Sequence, residues 1–416
     1  LKISREKLLR VLGIAGRILA KGANLPVLKA VNISGPQQKL YATNLDVYLT
    51  LDLPIEDWRK VKVKEGSFDS STLPKKKAEL MAYALEHGVP NVTGKMTAQA
   101  IQTKIVEHLS GAEVTEETFC LPATDLKKIV ASLEVDSIEI VPTTATNLIG
   151  SLQVSVGGHF QNLPTLEVKD FPQTPDFVPG ENVADVSVMN LDAVARAAVN
   201  DPTRAALSCV FFDSSQGRVV ATDGNRLHYA PAASDTSWLL RADLVRFLAS
   251  LSSGKDLHFT LNEESSIAKF SFEGGEAIIR VGDGNFPDYV TLLETMEPEV
   301  WVDILVKDLV RATRQALILT DTDMRGMKMA LNGSLEISVN HPERGQYQRI
   351  GIPLQGDGPE QEMIIGINAG FFSDVVNVLS RDEKAVLSLG VKDPESGVHF
   401  KKGDDEFHGV IMPMRL

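Results

Sequence analysis

Residues suited to covalent chemistry are few in this chain, and their spacing is unfavourable. Asp223, in the run "ATDGNRL", has no second acid or histidine beside it at a paired spacing, so the two groups that general acid–base catalysis needs are not brought together. Asp-Gly-Asn is turn chemistry, and Asp223 is expected to hold a turn. In "GVPNVTGKM", Gly88 and Gly94 enclose one residue too many for a phosphate loop, and Met96 stands where a serine or threonine would hold magnesium. The eight histidines are scattered and form no H-E-x-x-H. Cys120 and Cys209 lie far apart and outside any C-x-x-C pair, which points to two buried thiols rather than a disulfide framework or a zinc cluster. The expectation is a protein with no catalytic residues, no metal and no cofactor.

What does recur is positive charge at helical spacing. Lys7, Arg10, Arg17 and Lys21 follow three- and four-residue steps through Ile14, opposite Leu8, Leu12, Ala15 and Leu19; this puts a basic face and a core face on one helix. Lys307, Arg311 and Arg314 share a face of a later helix, and Arg196 and Arg204 lie eight residues apart on another. A second set of helices adds Lys127, Lys128, Arg241 and Arg246. The chemistry such residues offer is phosphate neutralisation. Any one stripe alone reads as a solvated helix face. Recurrence in corresponding helices of a chain with net charge −13 instead implies an acidic exterior, a basic surface built from helices, and a polyanionic partner.

The helices and strands that carry these residues form a repeat. The chain has 416 residues, 43% of them apolar and 23% charged, which fits about three globular domains. It contains no run of about 18 apolar residues, and "LKISREKLLRVLG" lacks the pattern of a signal peptide. A soluble, cytoplasmic protein without membrane association is expected. "LKISREKLLRVLGIAGRIL", "VADVSVMNLDAVARAAVN" and "EVWVDILVKDLVRATRQALIL" each read as a short strand followed by an amphipathic helix. "LYATNLDVYLTLDL", "RVVATDGNRLHYA" and "LEISVNHPERGQYQRIGI" read as hairpins. "ATDLKKIVASL", "RADLVRFLASL" and "NAGFFSDVVNVLS" supply a second helix to each unit. "DFPQTPDF" and "NFPDYVTLL" read as sheet ends that lead into linkers.

The predicted units are 1–177, 178–297 and 298–416. The first is too long by about 60 residues, and the excess at 56–117 carries a predicted pair of helices at 73–110. The chain closes on "FHGVIMPMRL", a strand-like run where tails are usually polar and mobile; a docked terminus is expected.

With these residues in place, the chain resembles the bacterial DNA polymerase III beta subunit family, the sliding clamps, outside the insert. The likeness rests on "LPVLKAVNI", "ATDGNRL", "NFPDY", "MRGMKM" and the terminal "MPMRL", in that order. The resemblance implies an α+β fold of three repeated DNA-clamp domains, with helices lining a ring interior and antiparallel sheets outside, plus the helical insert. It further implies a head-to-tail homodimer that encircles double-stranded DNA without reading sequence, with no enzymatic activity. Polymerase and clamp-loader subunits would bind by linear peptides in a groove between the second and third domains. The positions matching that groove are Leu207, Thr222, Gly224, Arg226, Leu227, Pro287, Val410, Met412, Pro413, Met414, Arg415 and Leu416. Methionine suits a surface that accepts several peptides, and Arg226 and Arg415 offer bonds to peptide carbonyls or a carboxylate.

Asn225 stands where the family often has histidine, and "FPDYVTLL" lacks the family's arginine pair, so the groove's specificity is expected to differ. Phe160, Ile318 and Leu319 match dimer-interface positions, with core burial an equal reading. The insert resembles the SAP or helix-extension-helix modules through "KKKAELMAYALEHGVP" and "GKMTAQAIQTKIVEHL". A peripheral DNA contact and a protein-docking decoration are both open for it. The alternative for the whole chain is a DNA-binding regulator or DNA-processing enzyme that uses the insert for recognition.

Overall fold

A computed structural model of the chain describes all residues except 20–24, 58–62, 65–73, 75, 87–96, 100, 102–112, 115–117, 143–150, 157–158, 167, 202, 321–324, 357, 380–384, 403–406 and 416. Most of the insert, with Ser71, Thr72, Lys75, Lys95 and Lys104, therefore lies outside the described residues, as do Lys21 and Leu416. The helix Lys77–Glu86 within the insert is described, and it buries Leu80 and Ala84.

Two compact units are formed, Leu1–Pro175 with Gly274–Ala277, and Asp176–Glu273 with Ile278–Leu416. In the first, helix α1 (Arg5–Ala15) buries Leu8, Val11, Leu12 and Ala15, the steps of three and four residues that define one face of a helix. With the insert helix counted as α2, α3 is Ala123–Ser132; it buries Ala123, Leu126 and Val130 and packs along α1. Arg5 fastens the pair: its Nε donates to Val130 O at 3.0 Å and its Nη2 to Ala131 O at 3.0 Å, satisfying carbonyls that the end of α3 leaves without helical partners. The helices rest on antiparallel strands. One sheet runs in the order His159–Pro164, Ser151–Val156, Ser137–Pro142, Lys2–Ser4, Ile55–Asp57. A second set pairs Val47–Asp52, Lys39–Thr43, Ala30–Ser34 and Thr118–Pro122 in succession.

The second unit repeats this construction. Helix α4 (Val188–Ala195) packs on α5 (Ala242–Leu251), and α7 (Val306–Leu319) packs on α8 (Ala369–Leu379). Between them in the chain, Tyr289–Thr295 forms α6, where a linker was expected. Its signal was local: Asp288 caps it by accepting from Thr291 N at 3.2 Å, the N-cap chemistry that relieves unpaired N–H groups at a helix start. An eight-stranded sheet runs Trp238–Arg241, Cys209–Asp213, Arg218–Thr222, Arg226–Pro231, Phe407–Ile411, Val398–Lys402, Val386–Val391, Val300–Leu305. A four-stranded sheet runs Gly345–Pro353, Ser334–His341, Gly326–Leu331, Met363–Asn368. Phe372 and Phe400, both fully buried, join Leu309, Ile337 and Leu387 in one core of the unit.

His228 is the buried polar group of most consequence. Its Nδ1–H donates to Ala193 O at 2.9 Å, and burial pushes its imidazole from 6.5 down to about 4. Below pH 6.5 the unfolded chain binds a proton that the folded chain refuses, so stability falls as the pH drops from 6.5 to 4. The loss is about 3 kcal/mol. Denaturant unfolding across that range should show it, and His228→Gln should remove that part of the slope. An unchanged slope in the variant would assign the pH dependence to other groups.

Candidate functional site

The run "ATDGNRL" folds into a tight turn between two neighbouring strands of the eight-stranded sheet, and its side chains hold it. Thr222 Oγ1–H donates to Arg226 O at 2.6 Å and Gly224 N–H donates to Thr222 Oγ1 at 3.1 Å. The Asp223 carboxylate accepts from Asn225 N at 2.9 Å, Arg226 N at 3.0 Å and Arg226 Nε at 3.0 Å. Gly224 has φ +93°, a left-handed conformation that side-chain-bearing residues disfavour. Asp223 thus acts as a turn residue.

The chain's end lies against this turn. Leu227 pairs with Val410 and Arg226 with Ile411 across the two strands. Beyond the strand, Met412 N–H donates to Asn225 O at 2.8 Å, and Met414 N–H donates to Gly366 O at 2.8 Å. Met412, Pro413 and Met414 are half-buried and Arg415 is exposed. A side chain at Gly397 would come within 3.5 Å of Met412 Sδ and 3.0 Å of Met296 Sδ, so that glycine admits the two thioethers. Of the other predicted groove residues, Leu207 is half-buried in the short 3-10 turn Ala205–Ser208, and Pro287 is exposed just before α6. Thr222, Leu227 and Val410 are buried.

Helix α6 is fixed to the same sheet. Tyr289 Oη–H donates to Asp213 Oδ2 at 2.6 Å and accepts from Arg218 Nε at 3.0 Å. Burial raises the Tyr289 phenol and the hydrogen bonds to Asp213 lower that carboxyl against its own desolvation. Leu292, 45% exposed on α6, is an apolar side chain absent from the predicted set.

Arg226 is less available than its sequence position suggested. Its Nε is bonded to Asp223, its Nη1 donates to Asp374 Oδ2 at 2.6 Å, and its guanidinium carbon lies 4.3 Å from the centre of the Phe371 ring. The side chain is 11% exposed. Asp374 and Phe371 come from α8, and nothing in "FFSDVV" distinguished them in sequence. A cleft of about 620 Å³ also escaped the sequence reading; it is lined by Leu319, Lys328, Tyr347, Met414 and Arg415 among others.

The cationic residues divide. Lys7, Arg10, Lys127, Lys128, Arg246, Lys307, Arg311 and Arg314 are exposed on their helices. Arg17 is exposed in the tighter turn that follows the end of α1 at Ala15, its N–H donating to Ile14 O at 3.1 Å. Arg196 caps α4, its Nη2 on Asp192 at 3.0 Å and its Nη1 4.0 Å from Asp374. Arg241 precedes α5 and bonds Asp243. Arg204 does not share a helix face with Arg196. The helix ends at Ala195, Asp201 Oδ1 accepts from Thr203 N in the turn that follows, and Arg204 Nη2 donates to Asp223 O at 3.3 Å. It belongs to the turn beside the C-terminal segment.

Ile318, near the end of α7, is 70% exposed, whereas Leu319 packs on the core. Phe160 falls on the strand His159–Pro164, an edge of its sheet, with its side chain outside the described residues. Among the described residues no His, Cys, Asp and Glu cluster suits a metal ion, and no helix is long and apolar enough to cross a membrane.

No protein-family model matches the chain. It is 28% identical over 346 residues to the beta sliding clamp of Proteus mirabilis, covering 73% of this chain and 90% of that protein. Its fold matches the DNA polymerase sliding clamp of Bacillus subtilis with a TM-score of 0.75 and 16% identity, over 100% of this chain and 98% of that one. A Pseudomonas aeruginosa sliding clamp solved bound to griselimycin matches with a TM-score of 0.72 and 22% identity, over 100% and 99% of the two chains.

Proposed function

We infer that this chain is a DNA sliding clamp of the bacterial DNA polymerase III beta-subunit kind, a non-catalytic processivity factor for replication in the cytoplasm. One observation carries the reading: the full chain follows the clamp fold, and helix pairs with exposed lysines and arginines recur along it. Three clamp domains, 1–177, 178–297 and 298–416, would be joined head to tail with a second copy into a ring. DNA then passes through the hole. Lys7, Arg10, Lys127, Lys128, Arg246, Lys307, Arg311 and Arg314 supply diffuse attraction to phosphates without base contacts, so the ring slides. The net charge of −13 keeps DNA from the outside. Topology supplies the retention that weak contacts do not.

Ring closure is proposed through two sheet edges. His159–Pro164 ends one sheet and Gly345–Pro353 ends another, and an open edge is a row of unpaired N–H and C=O groups that a second chain can complete. Ile318 supplies an apolar contact beside that second edge, since Tyr347 on the edge strand donates to Gln315 of α7 at 3.1 Å. Native mass measurement should give about 91 kDa, twice the 45.3 kDa of one chain, with a ring outline in electron micrographs; a 45.3 kDa particle contradicts it. Ile318→Glu should raise the dimer dissociation constant by at least about 100-fold, because a carboxylate is costly to desolvate. A variant that stays dimeric at the same dilution would remove Ile318 from the interface.

The turn Thr222–Leu227, Pro287 and the segment Met412–Arg415 form the proposed receptor for linear peptides of polymerase and clamp-loader subunits. Griselimycin is proposed to bind there too. Arg415, exposed, is the cation offered to the peptide, whereas Arg226 braces the turn. For the insert, a peripheral DNA or partner contact is proposed; unchanged DNA retention and partner binding after removal of residues 73–110 would exclude it.

A further inference from the structure

We propose that Asp374, on α8, is a positioning residue for the peptide groove: it holds Arg226 against the sheet, and through Arg226 it fixes the turn that receives the C-terminal segment. The inference rests on the groove reading above.

The connections run in one direction. Asp374 Oδ2 accepts from Arg226 Nη1 at 2.6 Å, across 148 positions of sequence. Phe371, three residues earlier and on the same face of α8, lies under the guanidinium, 4.3 Å from its carbon to the ring centre. Arg226 Nε then bonds Asp223 Oδ2, whose other oxygen accepts the N–H groups of Asn225 and Arg226. Asn225 O in turn accepts from Met412 N. A carboxylate on a helix is thus linked through a guanidinium and a second carboxylate to the backbone of the groove wall.

Arg226 is 11% exposed and Asp223 14%, while Asp374 is 34% exposed. A guanidinium so nearly buried requires its partners, because an uncompensated charge there is costly. Asp374 has the looser setting, and its Oδ1 faces Arg196 Nη1 only at 4.0 Å. Losing it leaves α8 packed by Phe372, Val375 and Val376. What is lost is one of the two acceptors that keep Arg226 folded over Phe371, so Arg226 turns outward and the turn loosens under Met412.

The test measures griselimycin binding by calorimetry in the full-length protein. Asp374→Ala should weaken binding roughly tenfold, since hydrogen bonds to charged groups are the strong ones. Arg226→Met should weaken it by a similar factor, and the double variant should bind no worse than Arg226→Met alone, because Asp374 acts only through Arg226. Asp374→Asn, which keeps the shape and an acceptor oxygen, should fall between Asp374→Ala and the parent, and it serves should the alanine variant fold poorly. Additive losses in the double variant, or parental binding by both Asp374 variants, overturn the proposal. A chain lacking residues 412–416 separates the two readings. If it loses griselimycin while the Asp374 variants bind normally, the groove stands and the positioning role falls; if it binds normally, both fall.

Discussion

A chain lacking residues 412–416 is expected to remain a dimer and to lose griselimycin by more than about 100-fold. The cut falls after Ile411, which is buried and paired with Arg226, so the strand Phe407–Ile411 keeps its place. What leaves is the proposed wall of the groove: Met412 and Met414, each held by a backbone hydrogen bond to another segment of the unit, and Arg415, the exposed cation beside them. Docked methionines present polarizable apolar surface that adapts to different occupants, and central apolar anchors carry most of the free energy of such contacts. Light scattering and calorimetry on the same sample test the two halves. Retained affinity would place the binding site elsewhere, and loss of the dimer would make the segment structural.

The second large effect concerns DNA. Replacing Lys307, Arg311 and Arg314 by alanine should lower the slope of log affinity against log salt by about 0.9 for each phosphate contact removed, measured on a short duplex by fluorescence anisotropy. All three side chains are exposed on α7, opposite the buried Leu309, Ala312 and Ala316. Their removal takes no packing from the core. The loss should be the same for duplexes of unrelated sequence, because phosphate contacts position without specifying. An unchanged salt slope would show that α7 does not meet the phosphates.

How far the sequence alone reached follows from the range of each interaction. Helices α1, α3, α5, α7 and α8 were legible because their apolar faces recur at the helical period, and the hairpins were legible from alternation and turn residues. Asp223 as a turn residue was also legible, since its partners lie within three positions. Helix ends were not: α1 stops at Ala15, leaving Arg17 in a tighter turn beyond it, and α4 stops at Ala195, sending Arg204 to the turn at Asp223. A spacing argument continued through those ends, where no proline or left-handed glycine marks the stop. Helix α6 was missed although Asp288 carried its cap, because proline and a short run suggested a linker. The tie between Asp374 and Arg226 spans 148 positions and leaves no periodic trace, so only the folded sheet brings it into view.

The protein is proposed to hold DNA by enclosing it. The direct measurement loads labelled protein onto a nicked circular duplex with a clamp loader, passes the sample over a sizing column at high salt, and repeats the run after one restriction cut. Co-elution with the circle and release from the linear product are predicted, since a ring slides off free ends. Equal retention on both forms would mean that the protein binds DNA by contact alone, and would contradict the clamp.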